Sequence, residues 1–166
     1  MNSEILEQFY VRYYKSALLY TLSLCSRREI AEEIVADAFV KAYLSFSDDH
    51  TSFQYWLLRV CKNLWIDDLR RQKRIANDGQ DALLGIADKD TPEKNLLHDE
   101  QLFTLYKCIR SLTEAEREVL MLHYFSNLRF GEIALMLRVT PGSIKTRIFR
   151  ARQSLKKLME DHGYGI

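Results

Sequence analysis

The sequence predicts an all-α protein of two small helical domains joined by a flexible acidic linker, and three observations carry that prediction. Among 166 residues there are only six Gly and two Pro, too few to punctuate a strand-rich fold. Apolar residues recur at intervals of three and four, the period of a helix with one buried stripe. Between Asn77 and Pro92 that periodicity is lost, and across 76–100 two cations stand against seven anions. The expected organisation is a first domain over 1–75, a linker over 76–92 and a second domain over 93–166.

Each helix has its own drive. Ile5, Phe9, Tyr13, Leu18 and Leu22 form the apolar stripe of the first. Ser26-Arg27-Arg28-Glu29 has the pattern of a capping box, in which hydroxyl and carboxylate satisfy each other's backbone N–H groups, and it is expected to open a second helix through Ile30, Ile34 and Ala38 toward Phe46. The acidic, hydroxyl-rich run Ser47 to Ser52 breaks the pattern. A third helix starts near Phe53 and is expected to bury Phe53, Trp56, Leu57, Val60, Cys61 and Leu64, leaving Arg59, Lys62, Asn63, Ile66 and Arg70 elsewhere. Thr91-Pro92 is expected to start a helix through Leu96, Leu97, Phe103, Leu105 and Ile109. Thr113-Glu114-Ala115-Glu116 reads as a second capping box, ahead of the apolar Val119, Leu120, Leu122 and Tyr124.

The chain closes on two helices and a tight turn, the pattern of a helix-turn-helix. Ala134 is small enough for a close crossing, Leu137 and Val139 bracket the turn, and Ile144 packs back on the first helix. Thr140 is placed to cap the second helix, and Pro141 sits at the first helical position, where its missing N–H costs nothing. At 100° per residue, Ile144, Ile148, Ala151, Leu155, Leu158 and Met159 form one apolar stripe, while Lys145, Thr146, Phe149, Arg150, Gln153 and Lys157 point broadly the other way. From Arg138 to Lys157 there are seven cations and no Asp or Glu. An ordinary solvated helix mixes signs to form i,i+4 pairs, so an acid-free face points to phosphate.

Net charge hides this arrangement. The total of +1 separates into −3 over 1–50, +4 over 51–75, −5 over 76–100, zero over 101–137 and +5 over 138–166. Two basic patches therefore lie in an otherwise acidic chain. The first carries both tryptophans, Trp56 and Trp65, beside Arg59, Lys62, Arg70, Arg71, Lys73 and Arg74. Cations beside rings suit single-stranded DNA, since cations track phosphates and unstacked bases lie on aromatic faces. Trp56 falls on the apolar stripe and is expected in the core; Trp65 is off it.

Several functions are disfavoured. Cys25, Cys61 and Cys108 are odd in number and far apart among apolar neighbours, which fits buried thiols in a reducing compartment rather than disulfides or zinc. The longest apolar run, Ala17 to Cys25, is too short to span a bilayer, so no membrane insertion is expected and the protein is expected in the cytoplasm. Four scattered histidines and the lone pair Asp67-Asp68 make no catalytic or metal constellation. No catalysis, metal or cofactor is expected. A free-standing helix-turn-helix regulator would explain the second domain but gives no reason for the Trp-rich basic helix.

Three blocks taken together resemble the extracytoplasmic-function (ECF) sigma factors of bacterial RNA polymerase. They are Ala31-Glu32-Glu33-Ile34-Val35-Ala36-Asp37-Ala38-Phe39, then Trp56 through Asn63 with Asp67 and Leu69-Arg70-Arg71, then Glu132-Ile133-Ala134 through Ile144-Lys145-Thr146-Arg147 and Arg150-Ala151-Arg152. The resemblance implies that the first domain is sigma region 2, which binds core polymerase and melts the minus-ten element, and the second is sigma region 4, which reads the minus-thirty-five element. It implies core-polymerase contacts at Asp37, Phe39 and Lys41, and minus-ten contacts at Arg59, Lys62, Asn63, Arg70 and Arg71, with the loop Ser45 to Ser52 helping to hold a flipped base. It implies minus-thirty-five contacts at Arg138, Ser143, Lys145, Thr146, Arg147, Phe149 and Arg150. The implied partners are core RNA polymerase, promoter DNA as duplex and melted strand, and an anti-sigma protein, either soluble or membrane-bound. The chain departs from the family pattern at Ala36-Asp37-Ala38, at Leu112-Thr113 in place of Leu-Pro, and at Arg138, where the turn usually has Gly.

Overall fold

The computed structural model describes residues 1–47, 52–77 and 99–163 and divides into two compact units, Met1–Thr91 and Pro92–Ile166. The described residues are helices and short connections with no strand among them. Most of the loop from Ser47 to Ser52, most of the expected linker and the Thr91-Pro92 helix start lie outside the described residues.

The first unit is built on α1 (Ser3–Cys25), α2 (Arg28–Ser45) and α3 (Phe53–Asn77). Each of the three packs against the other two. That arrangement explains why the C-terminal half of α1 is covered all round: Ala17 through Ser23 are all buried, with Leu18 and Leu22 fully so. Burying each such leucine contributes about 1.5–3 kcal/mol. The buried hydroxyls of Thr21 and Ser23 within this run are satisfied locally, Thr21 donating to the Ala17 carbonyl at 2.8 Å and Ser23 to the Tyr20 carbonyl.

Two expectations for this unit are corrected. Ser26 does not cap α2; it ends α1 in the left-handed region at φ 60°, donating its N–H to Leu22, while Arg27 takes the N-cap position without a side-chain bond. The close α1–α2 turn needs the left-handed residue more than the cap. On α3, Tyr55 and Leu58 are buried while Trp56, Val60 and Leu64 are half-buried. Two partner helices cover a wide arc of α3, and its centre is rotated toward Leu58, which leaves Trp56 at the edge against Phe46 and Phe53.

The second unit contains α4 (Glu100–Arg110), α5 (Glu114–Leu120) running into a π-helical turn (Met121–Phe125), α6 (Phe130–Leu137) and α7 (Pro141–Asp161). Helix α7 is the hub, packing on α4, α5 and α6 through Ile144, Ile148, Ala151 and Leu155. Leu158 and Met159 finish that stripe half-buried. The helix expected to run continuously from Pro92 through Ile109 has instead a start at Glu100: Asp99 is extended, and its carboxylate caps α4 by accepting from the N–H groups of Gln101 (2.8 Å) and Leu102 (3.3 Å). Thr113 caps α5 through Glu116 N–H at 3.4 Å, but the Glu116 carboxylate accepts from the Thr113 hydroxyl at 2.9 Å instead of closing a reciprocal box on backbone.

The π-helical turn adds a residue to the helical repeat, a local irregularity that periodicity does not reveal. Leu128 N–H returns to the Leu122 carbonyl at 3.0 Å, and the Nδ1 of His123 lies 3.2 Å from the Leu128 carbonyl oxygen. Tyr124, expected among the apolar positions, is turned outward and is 42% exposed.

All three cysteines are free and buried. Desolvation pushes the Cys61 thiol up to about 12, against a smaller downward pull from a hydrogen bond with Thr21, and burial also raises Cys108. No described helix is long and apolar enough to cross a membrane.

Candidate nucleic-acid interface

The helix-turn-helix is set by its turn. Helix α6 ends at Arg138 with φ 58° and ψ 45°, and the N–H of Val139 returns to the Ala134 carbonyl at 3.0 Å. This is the left-handed cap usually given to Gly, and an Arg there costs roughly 1 kcal/mol more. Thr140 then starts α7 in extended geometry, its hydroxyl accepting the Ser143 N–H at 3.2 Å, with Pro141 as first helical residue. Both sequence signals for the start of this helix are met.

On α7 the apolar stripe is buried, and Lys145, Thr146, Phe149, Arg150, Gln153 and Lys157 are all exposed. Phe149 is 62% exposed, an unusual position for a phenylalanine and a suitable one for apolar contact with a thymine methyl. Thr146 donates its hydroxyl to the Gly142 carbonyl at 3.2 Å, which leaves oxygen lone pairs and the methyl group outward. Arg138 is exposed on the turn, while Ser143 and Arg147 are half-buried on the shoulders of the same helix.

One contact at this face escaped the sequence reading. The Arg152 Nε–H donates to the Tyr124 hydroxyl, and the guanidinium lies 5.4 Å from the centroid of the same ring. The signal that produces it is the π-helical turn, which carries Tyr124 out of the core.

In the first unit, Asn63 is exposed, so its amide faces solvent and does not bridge two buried helices. Arg59 is exposed and lies 5.7 Å from the Tyr55 ring centroid; Lys62 is half-buried. Arg70 and Arg71 pair with Asp67 (3.9 Å) and Asp68 (2.6 Å) one turn back, with Gln72 also on Asp68. These surface pairs are worth at most about 1 kcal/mol, so the cations can exchange them for phosphate cheaply. The two aspartates are occupied as salt-bridge residues, and among the described residues no group of three His, Cys, Asp or Glu could hold a metal ion.

On α2, Asp37 and Lys41 are exposed, but Phe39 is buried at 6% exposure against Tyr10 and Phe53. Phe39 therefore anchors the helix, and the exposed surface of α2 beside Asp37 and Lys41 is formed by Val40, Tyr43 and Leu44.

A three-helix unit bearing an aromatic and basic helix, with a second unit whose last helix carries no Asp or Glu from Pro141 to Lys157, has the form of a two-domain promoter-recognition protein. Residues 9–75 match the family sigma-70 region 2, and residues 102–155 match sigma-70, region 4. The chain is 32% identical over 142 residues to the ECF RNA polymerase sigma factor SigW of Bacillus subtilis, covering 79% of this chain and 76% of that one. It is 27% identical over 154 residues to SigM of the same organism, covering 92% and 94%. In fold it is similar to the sigma factor RpoE of Bartonella quintana, solved with the anti-sigma factor NepR, at a TM-score of 0.67 and 22% identity over 93% of this chain and 96% of that one. It is likewise similar to CnrH, solved with the cytosolic domain of CnrY, at a TM-score of 0.65 and 22% identity over 96% and 90%. The chain belongs to the ECF sigma factors, the subunits that bind core RNA polymerase and direct it to promoters.

Proposed function

We propose that this sigma factor divides promoter recognition between its units: the first docks on core polymerase and holds the melted minus-ten strand, and the second reads the minus-thirty-five duplex. The observation that carries the assignment for the second unit is the exposed face of α7 from Lys145 to Lys157, which has no Asp or Glu and where Lys145, Thr146, Phe149 and Arg150 stand clear of the core. Lys and Arg there can pair with guanine edges, and Phe149 can pack on a thymine methyl. Ser143, Arg147 and Arg138 complete the contact surface from its shoulders and from the turn.

In the first unit, Asn63 offers an exposed amide for a base edge, while Arg59, Lys62, Arg70 and Arg71 track the backbone of the opened strand. Asp37 and Lys41, with the apolar surface of α2, form the polymerase-docking face. Because DNA contacts sit on two units, the free chain binds promoter duplex weakly, and polymerase converts two weak contacts into one strong one. The protein works in the cytoplasm with polymerase and is held inactive by an anti-sigma protein, as the neighbours solved with NepR and CnrY suggest by analogy.

Run-off transcription with purified core polymerase, with and without this chain, tests the reading. A promoter-specific transcript that depends on the chain is expected. Tight, sequence-specific duplex binding by the chain alone in physiological salt, with no such transcript, would overturn it in favour of a polymerase-independent regulator.

A further inference from the structure

We infer that Tyr124 and Arg152 form a phosphate-binding pair that grips the DNA backbone beside the recognition helix. The inference rests on α7 being the duplex reader. Arg152 follows Lys145 by seven residues, two turns along α7, which places it on nearly the same flank and about 10 Å further from the helix start. The major groove is about 12 Å wide. A helix that reads base edges with its N-terminal half therefore brings this position to the groove wall, where phosphates lie.

The local chemistry favours an anion. Both residues are exposed, and the guanidinium is held by a neutral phenol where a purely structural arginine would usually meet a carboxylate. The contact uses the Arg152 Nε–H, leaving four N–H donors on the two Nη groups. The tyrosine oxygen accepts that bond, so its own proton is free to point away from the guanidinium and donate to a second phosphate oxygen. The ring beneath restricts the side chain, which lowers the entropy lost on binding. Tyr124 comes from the π-helical turn and Arg152 from α7, so the clamp ties the recognition helix to the rest of its unit at the point of DNA contact.

A double-mutant cycle on holoenzyme binding to promoter duplex, measured at several salt concentrations, tests the pair. Helicity and core binding are checked first for every variant. Arg152→Ala is expected to weaken binding about five-fold to ten-fold, equally on all minus-thirty-five variants, and to reduce the salt slope by about 0.9. Tyr124→Phe keeps the charge, so it is expected to weaken binding about three-fold with the slope unchanged, and to have a clearly smaller effect in the Arg152→Ala background, where the phosphate is no longer held against the hydroxyl. Arg152→Lys is expected to restore the slope but only part of the affinity. A slope unchanged by Arg152→Ala, a loss that depends on base sequence, or equal effects of Tyr124→Phe in both backgrounds would each overturn the clamp. A wild-type holoenzyme that shows no salt dependence at all would overturn the reading of α7 together with it.

Discussion

Phe9 near the start of α1 and Phe53 at the start of α3 stack with ring centroids 4.3 Å apart and planes 17° from parallel. Phe53 also meets Phe39 of α2, Phe46 and Trp56, so one ring ties all three helices of the first unit. Phe53→Ala is expected to destabilise that unit by about 3–5 kcal/mol. Denaturant unfolding followed by tryptophan fluorescence reports it directly, because both tryptophans lie on α3. A loss below about 1 kcal/mol would mean the cluster repacks without this ring.

Arg138 sets stability against binding. Its left-handed backbone makes Arg138→Gly favourable to the fold by up to about 1 kcal/mol, while the same change removes an exposed cation from the turn. Promoter affinity is expected to fall on every minus-thirty-five sequence as stability rises. Chemical denaturation and holoenzyme binding on the same variant check both signs. A less stable protein would show that the arginine is not strained.

Base readers and phosphate contacts should separate on a panel of promoter variants. Arg150→Ala or Lys145→Ala is expected to lose about 1–3 kcal/mol on the preferred sequence and to relax preference at one base pair. Lys157→Ala should mainly lower the salt slope. If Arg150→Ala and Lys157→Ala weakened all sequences alike, Arg150 would be a backbone contact.

Asn63→Ala is expected to leave closed-complex formation intact and impair opening, since extruding a base costs a few kcal/mol that its pocket must offset. Permanganate reactivity of thymines near the start site follows melting. A premelted template should rescue the variant; equal failure on duplex and bubble would remove Asn63 from strand opening.

The Cys61 thiol supplies a pH dependence. Its folded value of about 12 lies above the ordinary 9.0, so between these limits the folded chain keeps a proton that the unfolded chain releases. The associated stability is fully present below pH 9 and is lost as pH rises toward 12. Cys61→Ala should therefore lose stability less steeply than the wild type in that window, as read from denaturation midpoints at successive pH values.

What the sequence made legible follows from what periodicity encodes. A stripe such as Ile144, Ile148, Ala151 and Leu155 specifies a buried face, so the exposed positions of α7 followed from it. Thr140-Pro141 marks a helix start by local chemistry alone, and the structure uses both residues as expected. The misplacements came where neighbouring helices decide. Trp56 depends on which arc of α3 is covered, and the outward turn of Tyr124 depends on one extra residue in a helical repeat. Ser26-Arg27-Arg28-Glu29 satisfied the capping pattern, yet the tight connection from α1 claimed Ser26 for a left-handed turn. Asp99 supplied a cap that interrupts an apolar series read as continuous. For the candidate contact positions, helical geometry brought Lys145, Thr146, Phe149 and Arg150 to one face, whereas the burial of Phe39 could be read only from the packing of α1 and α3 on α2.

The burial of Cys25, Cys61 and Cys108 makes the native chain a convenient host for site-directed probes. An occluded thiol does not compete for a maleimide. A cysteine introduced at an exposed position, such as Gln153 on α7 or Lys41 on α2, would thus label alone without a cysteine-free background. Paired dyes at two such positions would then follow the two units separately as polymerase, promoter and inhibitor come and go.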